Sequence, residues 1–145
     1  MKTTKTAEAA ALDAVLALIN NTGGPTAGSL KIYDGSVPAN LAATPAGTVL
    51  ANCVLGNASA PAFTSTSSST LTATGNTSGG FFAQDPSAAN TGTATYWRLC
   101  DYTGAARLQG TIGTSSAELL MSTLSIVAGY AVTINTFNCS ISGMD

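Results

Sequence analysis

The chain has 145 residues, a length that suits one domain built around one core. Hydrophobic residues make up 45% of it and charged residues only 8%, against about 25% in an ordinary soluble protein. Five basic and seven acidic residues, spread over the roughly 6,800 Å² expected for this mass, leave about one charge per 570 Å². Such a surface depends on Ser, Thr, Asn and Gly for solubility, or is covered by partners.

The charge distribution and the apolar runs exclude several classes of partner. Net charge is −2 and the basic residues are scattered, which argues against nucleic acid. No run of about 20 apolar residues is present, so we expect no membrane span. We find no defensible secretory signal. The three cysteines each lie in an apolar run, which fits synthesis in a reducing cytoplasm: Cys53, Cys100 and Cys139.

The segment from Thr6 to Asn20 has the pattern of an amphipathic helix. Its apolar residues recur at helical spacing, and this stripe consists of Leu12, Val15, Leu16 and Ile19. Alanines favour the helix, and the Asn-Thr-Gly-Gly-Pro run after Asn20 ends it. A single helix of about 15 residues is marginal in water, so the stripe needs a surface to cover.

Two surfaces could receive this stripe: the chain's own β domain, or a neighbouring subunit. We take the second as the functional hypothesis, in which residues 1–24 form an attachment arm and residues 25–145 form the β domain. The four stripe residues are then the candidate docking residues.

Everything after Pro25 has the pattern of short strands between turn clusters. The predicted strands are Ser29–Tyr33, Thr48–Leu55, Ala62–Thr66, Thr70–Thr74, Gly80–Gln84, Thr93–Asp101, Ala106–Ile112, Glu118–Met121 and Tyr130–Ile141. The sixth and seventh, joined by an Asp-Tyr-Thr-Gly turn, form the clearest hairpin. A change of apolar phase near Asn135–Thr136 predicts a β-bulge in the last strand. About eight or nine strands predict an all-β fold, a β-sandwich or jelly-roll-like barrel with an N-terminal helix.

No constellation of catalytic residues is apparent. Histidine is absent, which removes Ser-His-Asp and Cys-His systems and most catalytic zinc sites. Asp34 and Asp101 could converge like the paired carboxylates of a glycosidase, but each lies in a turn sequence, where capping is the ordinary role. We therefore expect no enzyme, no cofactor and no metal, and keep a small hydrolase as the weakest alternative.

The aromatic residues offer one candidate contact surface. Tyr96 and Trp97 are adjacent and point to opposite faces of a strand. The simpler interpretation places Trp97 in the core with Tyr96 half-buried. The functional alternative is a ligand or subunit contact through Tyr96 or Tyr102.

Four segments resemble a group of small virion proteins of tailed bacteriophages. They are the L-K-I-Y-x-G-x-x-P segment at Leu30–Pro38, the G-T-V-L strand at Gly47–Leu50, the G-T-A-x-x-W-R and D-x-x-G-x-A stretch at Gly92–Ala105, and the late Ser116–Ile134 segment. The resemblance extends over residues 28–138 or so and consists of strand and turn residues. It implies a β-sandwich on the particle, as a capsid decoration (cement) protein or a tail-associated part, and transfers no catalytic residue.

The leading hypothesis is therefore a virion structural protein that bridges capsomers on the head shell. Its partners would be the major capsid protein or other virion proteins. It would also form a homo-oligomer, and a trimer would suit a threefold position. The alternative is a carbohydrate-binding or adhesive module on the tail or particle surface, in which sugar binding would quench the fluorescence of Trp97.

Overall fold

The computed structural model describes residues 5–20, 28–55, 70–74 and 85–140. This part of the chain is mostly β, as predicted, with one helix, α1 (Lys5–Asn20). Its strands are β1 (Ser29–Tyr33), β2 (Val49–Val54), β3 (Thr70–Thr74), β4 (Gly92–Thr93), β5 (Tyr96–Cys100), β6 (Ala106–Gly113), β7 (Leu119–Leu120), β8 (Ser125–Ile126) and β9 (Thr136–Ser140). The predicted strands at 62–66 and 80–84 lie outside the described residues.

The strands form one curled mixed sheet and a small separate ribbon. The order in the sheet is β2-β1-β5-β6-β7-β9-β3, and β4 pairs with β8. Strand β6 belongs to both halves of the sheet, because residues 106–111 pair with β5 while Ile112 and Gly113 pair with β7. The sheet turns at this shared strand and becomes a half-barrel.

The β6–β7 pair is parallel, although only five residues separate the two strands. Parallel neighbours usually need a crossover of about a dozen residues or more. Here the Glu118 carboxylate receives hydrogen bonds from the backbone N–H (3.0 Å) and the hydroxyl (2.6 Å) of Thr111. The bond from the Thr111 hydroxyl is the main cause that holds the pKa of Glu118 below its usual value. The side chain of Glu118 thus supplies a hydrogen-bond acceptor for β6 that the backbone of so short a connection cannot supply.

Helix α1 packs against the sheet and contributes to its core. Leu12, Leu16 and Ile19 are buried in one cluster with the apolar residues of β1, β2 and β5, and Val15 packs against it. The backbone N–H of Gly28 also donates to the carbonyl of Ile19 at 2.8 Å. The stripe therefore covers the chain's own sheet, the first of the two surfaces considered, with Leu12, Leu16 and Ile19 buried and Val15 partly buried.

Trp97 links the two halves of the sheet. Its ring meets that of Phe137 on β9 edge to face, with centroids 4.9 Å apart. Its indole N–H donates to the carbonyl of Thr111 at 3.1 Å. Directly opposite on β6 is Gly110, whose missing side chain leaves room for the indole. Trp97 is a core residue, as the simpler interpretation of the sequence held.

The predicted hairpin is confirmed, and the predicted C-terminal strand is corrected. Strands β5 and β6 are antiparallel, and the turn between them begins at Asp101. Near the C-terminus, Val132 forms an isolated bridge with Asp85, and β9 begins only at Thr136. The change of phase between the buried Ile134 and Phe137 falls in this break between pairings. It is not a bulge within one strand.

Candidate functional site

The first candidate surface is the covering loop, residues 34–48, which lies over the outer face of β1, β5 and β6. Side chains of the sheet hold it by its backbone. It contains neither helix nor strand. Asp34 is its only charged residue, while Val37 and Leu41 expose their apolar side chains. Such a loop needs contacts from the sheet to keep one conformation.

Polar side chains of the sheet hold the covering loop by its backbone. Three of them donate to loop carbonyls: Arg98 Nη2 to Asn40 (3.3 Å) and Ala43 (3.0 Å), Gln109 to Pro38 (2.7 Å), and the Tyr96 hydroxyl to Ala46 (2.8 Å). The hydroxyl of Thr95 donates to the carbonyl of Gly35 as well. Because these contacts use the backbone, the apolar side chains of Val37 and Leu41 remain exposed.

The position of Tyr96 corrects one sequence prediction. Its side chain is fully buried and its ring stacks on that of Tyr33, with centroids 4.8 Å apart. Burial raises the pKa of both phenols, and the nearby Arg98 charge only partly opposes this. Tyr96 is therefore not a surface contact, because the covering loop occupies the face that strand alternation leaves open.

Among the side chains that hold the covering loop, Arg98 is the one whose burial costs the most free energy. Its side chain is 3% exposed, and no carboxylate pairs with it among the described residues. Its Nε lacks a hydrogen-bond partner there, as does Oε1 of Gln109, the residue directly opposite on β6. Among the described residues its hydrogen-bond partners are the neutral carbonyls of Asn40 and Ala43, and a buried cation held in this way is costly to desolvate. The chain tolerates this cost in a contact that fixes the covering loop.

Asp101 caps the β5–β6 turn, as predicted. One carboxylate oxygen accepts from the backbone N–H groups of Thr103 (2.8 Å) and Ala105 (3.1 Å) and from the Thr103 hydroxyl (2.6 Å). The other accepts from Arg107 Nη2 at 2.7 Å and Nε at 2.8 Å. Burial alone would raise the pKa of Asp101, but these hydrogen bonds outweigh it and lower the pKa.

The two predicted turn aspartates do not converge. Asp34 follows Tyr33, which pairs with Tyr96, whereas Asp101 follows Cys100, which pairs with Ser29. They therefore lie at opposite ends of the β1–β5 pair. Asp34 accepts a hydrogen bond from the backbone N–H of Thr48 and closes the base of the covering loop.

We expect the Asp101→Asn variant to be less stable than the wild type by about 1–3 kcal/mol at pH 7, since charge-assisted hydrogen bonds are lost. A lowered folded-state pKa stabilises the fold above the unfolded pKa, about 3.9, and this contribution disappears as pH falls through the folded value. The deficit of the variant should therefore shrink below about pH 4. Urea unfolding across pH measures this, and a deficit independent of pH would contradict it.

The second surface feature is the groove, formed by residues 121–133, which sequence reasoning missed. Its volume is about 270 Å³. The buried side chains of Met121, Ile126 and Val132 form its apolar floor, and Val127, Ala131, Tyr130 and several serine and threonine residues line it as well. The Tyr130 side chain is 71% exposed, whereas that of Tyr102, the predicted contact residue in the β5–β6 turn, is 52% exposed. No local pattern distinguishes Tyr130 from the other tyrosines of the chain.

Two thiols in the described residues are packed as apolar groups. Cys53 and Cys100 are buried and free. Burial raises the pKa of the Cys53 thiol to about 11, so it stays protonated at neutral pH and is a poor nucleophile or metal ligand. Cys139 has no described side chain.

Within the described residues, no three side chains of the metal-binding types come together. No helix there is long and apolar enough to cross a membrane. Comparison with protein-family models, with curated proteins and with solved structures gives no match to this chain.

Proposed function

We propose that this chain is a structural protein of a phage particle that binds across capsomers of the head shell and cements them. The observation that carries the proposal is the covering loop: beyond Asp34 at its base it carries no charge, it exposes Val37 and Leu41, and the buried Arg98 holds its backbone. The resemblance to small virion proteins supports the same function. We further propose that the curled sheet belongs to the β-sandwich class, as that resemblance implies.

The loop suits a permanent contact between virion subunits. Residues 35–47 carry no charge, so burying them in an interface desolvates no ion. Permanent interfaces bury on the order of 2,000 Å² or more and are rich in apolar area. Val37 and Leu41 supply apolar side chains on a backbone that the sheet has already ordered, which reduces the entropy lost on binding. The helix stripe, being buried, is not proposed as the docking surface.

The proposed partners are the major capsid protein and further copies of this chain, on the outside of the particle. Particles produced by the genome that encodes this chain provide the test. Mass spectrometry of purified particles should find the chain in a fixed ratio to the major capsid protein. It should stay bound in about 1 M NaCl, since an uncharged interface is little affected by screening. Its absence from particles, or its release by salt, would overturn the proposal.

Replacing Val37 with aspartate tests the docking surface itself. We expect particles lacking the chain to bind this variant at least about tenfold more weakly, because the interface would bury an unpaired charge. Val54→Asp, at an exposed valine on β2, is the matched control and should bind like the wild type. Unchanged melting temperatures would show that both variants fold. Equal binding by the two variants would exclude the loop as the docking surface.

A further inference from the structure

The groove has the chemistry of a site for an uncharged, hydroxyl-rich ligand. Its floor is apolar, and Ser125 and Thr133 are among the hydroxyl side chains that line it. Within the part of the chain that the structure describes, none of its lining residues carries a charge. We propose that the groove binds a neutral saccharide, with one face of a sugar ring on Tyr130 and the sugar hydroxyls on the serine and threonine side chains.

Tyr130 is presented to solvent from a fixed backbone. Its N–H donates to the carbonyl of Val127 (3.1 Å) and its carbonyl accepts from Ala88 (2.9 Å). The preceding Gly129 has a φ of 84°, the left-handed conformation that glycine adopts most readily, and donates to the carbonyl of Ala88 at 2.9 Å. The main chain is thus held on both sides while the ring is largely exposed. A ring in this position contributes little to the core and is available to a ligand.

The lining of the groove favours a sugar over other ligand classes. Phosphates and acidic sugars need a cationic partner, and no lysine or arginine is among the described residues that line the groove. An apolar peptide would leave the hydroxyl groups at the rim without partners, which is unfavourable once they are buried. A sugar ring offers apolar C–H faces and hydroxyl edges together, which matches this floor and rim. The volume of about 270 Å³ is just below the range of drug-sized pockets, so it suits roughly one or two sugar rings.

This site is independent of the proposed role in the particle. The groove consists of residues 121–133, whereas the docking surface is the covering loop, residues 34–48. Sugar binding could therefore be found in a chain that never joins a virion, and a virion protein could fail to bind sugar. Separate measurements on the two surfaces keep the two proposals distinguishable.

The test is a titration of the isotope-labelled full chain with glucose, galactose, mannose and N-acetylglucosamine, followed by NMR. We expect amide shifts confined to residues 121–133 with at least one of these sugars, at a Kd of about 1 mM. Trp97 fluorescence is not a suitable readout, because its side chain is 2% exposed.

The decisive comparison is between two exposed tyrosines. Tyr130→Ser should weaken binding at least about tenfold, whereas Tyr102→Ser, the matched control in the β5–β6 turn, should leave it unchanged. Neither ring is part of the core, so both variants should fold. No shifts with any sugar, equal losses in the two variants, or shifts outside the groove would each overturn the proposal. Shifts in the groove with an uncharged apolar peptide but no sugar would overturn the ligand class.

Discussion

Replacing Leu12 with alanine is expected to lower the free energy of unfolding by about 3 kcal/mol, within the range for large-to-small core substitutions. Leu12 is fully buried and belongs to the same cluster as the apolar residues of β1, β2 and β5. The substitution removes buried methyl and methylene groups and leaves a cavity between helix and sheet. Alanine favours helix at least as well as leucine, so the loss reports packing and not helix propensity.

Leu18 provides the control on the same helix. Its side chain is 44% exposed, so Leu18→Ala should change stability by less than about 0.5 kcal/mol. Urea unfolding of both variants measures the difference. Equal, small effects would mean that the stripe does not pack on this sheet in solution, and the stripe would again become a candidate docking surface.

The parts of the fold that the sequence predicted well are those determined by local pattern. The alternation of Leu30 and Ile32 with polar neighbours gave the bounds of β1. The β5–β6 hairpin followed from one turn, in which Asp101 satisfies the backbone N–H groups of residues two and four positions ahead. In such cases the partners are close along the chain, so composition and spacing contain the information.

The features that the sequence did not predict depend on partners far apart in the chain. Tyr96 reaches the carbonyl of Ala46, 50 positions away, and Gln109 reaches that of Pro38, 71 positions away. A loop of small uncharged residues has the composition of exposed surface, and nothing local indicates that it covers a strand face. The exposure of Tyr130 likewise depends on a backbone contact with Ala88.

The same distant contacts explain why the candidate sites lie in loops. Within the described residues, most of the large apolar side chains belong to one core. The outer face is then covered by a loop that sheet side chains hold through its backbone. Rigid support beneath irregular segments is the usual way in which proteins position binding residues. It leaves Val37, Leu41 and Tyr130 exposed in defined positions.

Replacing Gly110 with alanine is expected to destabilise the fold by about 2 kcal/mol, in the range for overpacked cores. A Cβ atom at this position would lie 2.7 Å from Cζ2 and 2.9 Å from Cε2 of Trp97. The indole would have to move, which disturbs its bond to Thr111 and its edge contact with Phe137. Urea unfolding measures the loss, and a change in tryptophan emission should accompany it.

Whether Gly110→Ala stabilises or destabilises the protein distinguishes a clash with the Trp97 indole from the conformational preference of the strand backbone. Glycine within a strand is ordinarily less stable than alanine by roughly 0.5–1 kcal/mol, so without the indole the substitution should stabilise the protein. In a Trp97→Phe background the smaller ring makes room for the new methyl group, and the penalty should fall by at least about 1 kcal/mol. A penalty of the same size in both backgrounds would place its origin in the backbone of β6. A penalty that falls as expected would show that Gly110 is needed because the indole of Trp97 lies against it.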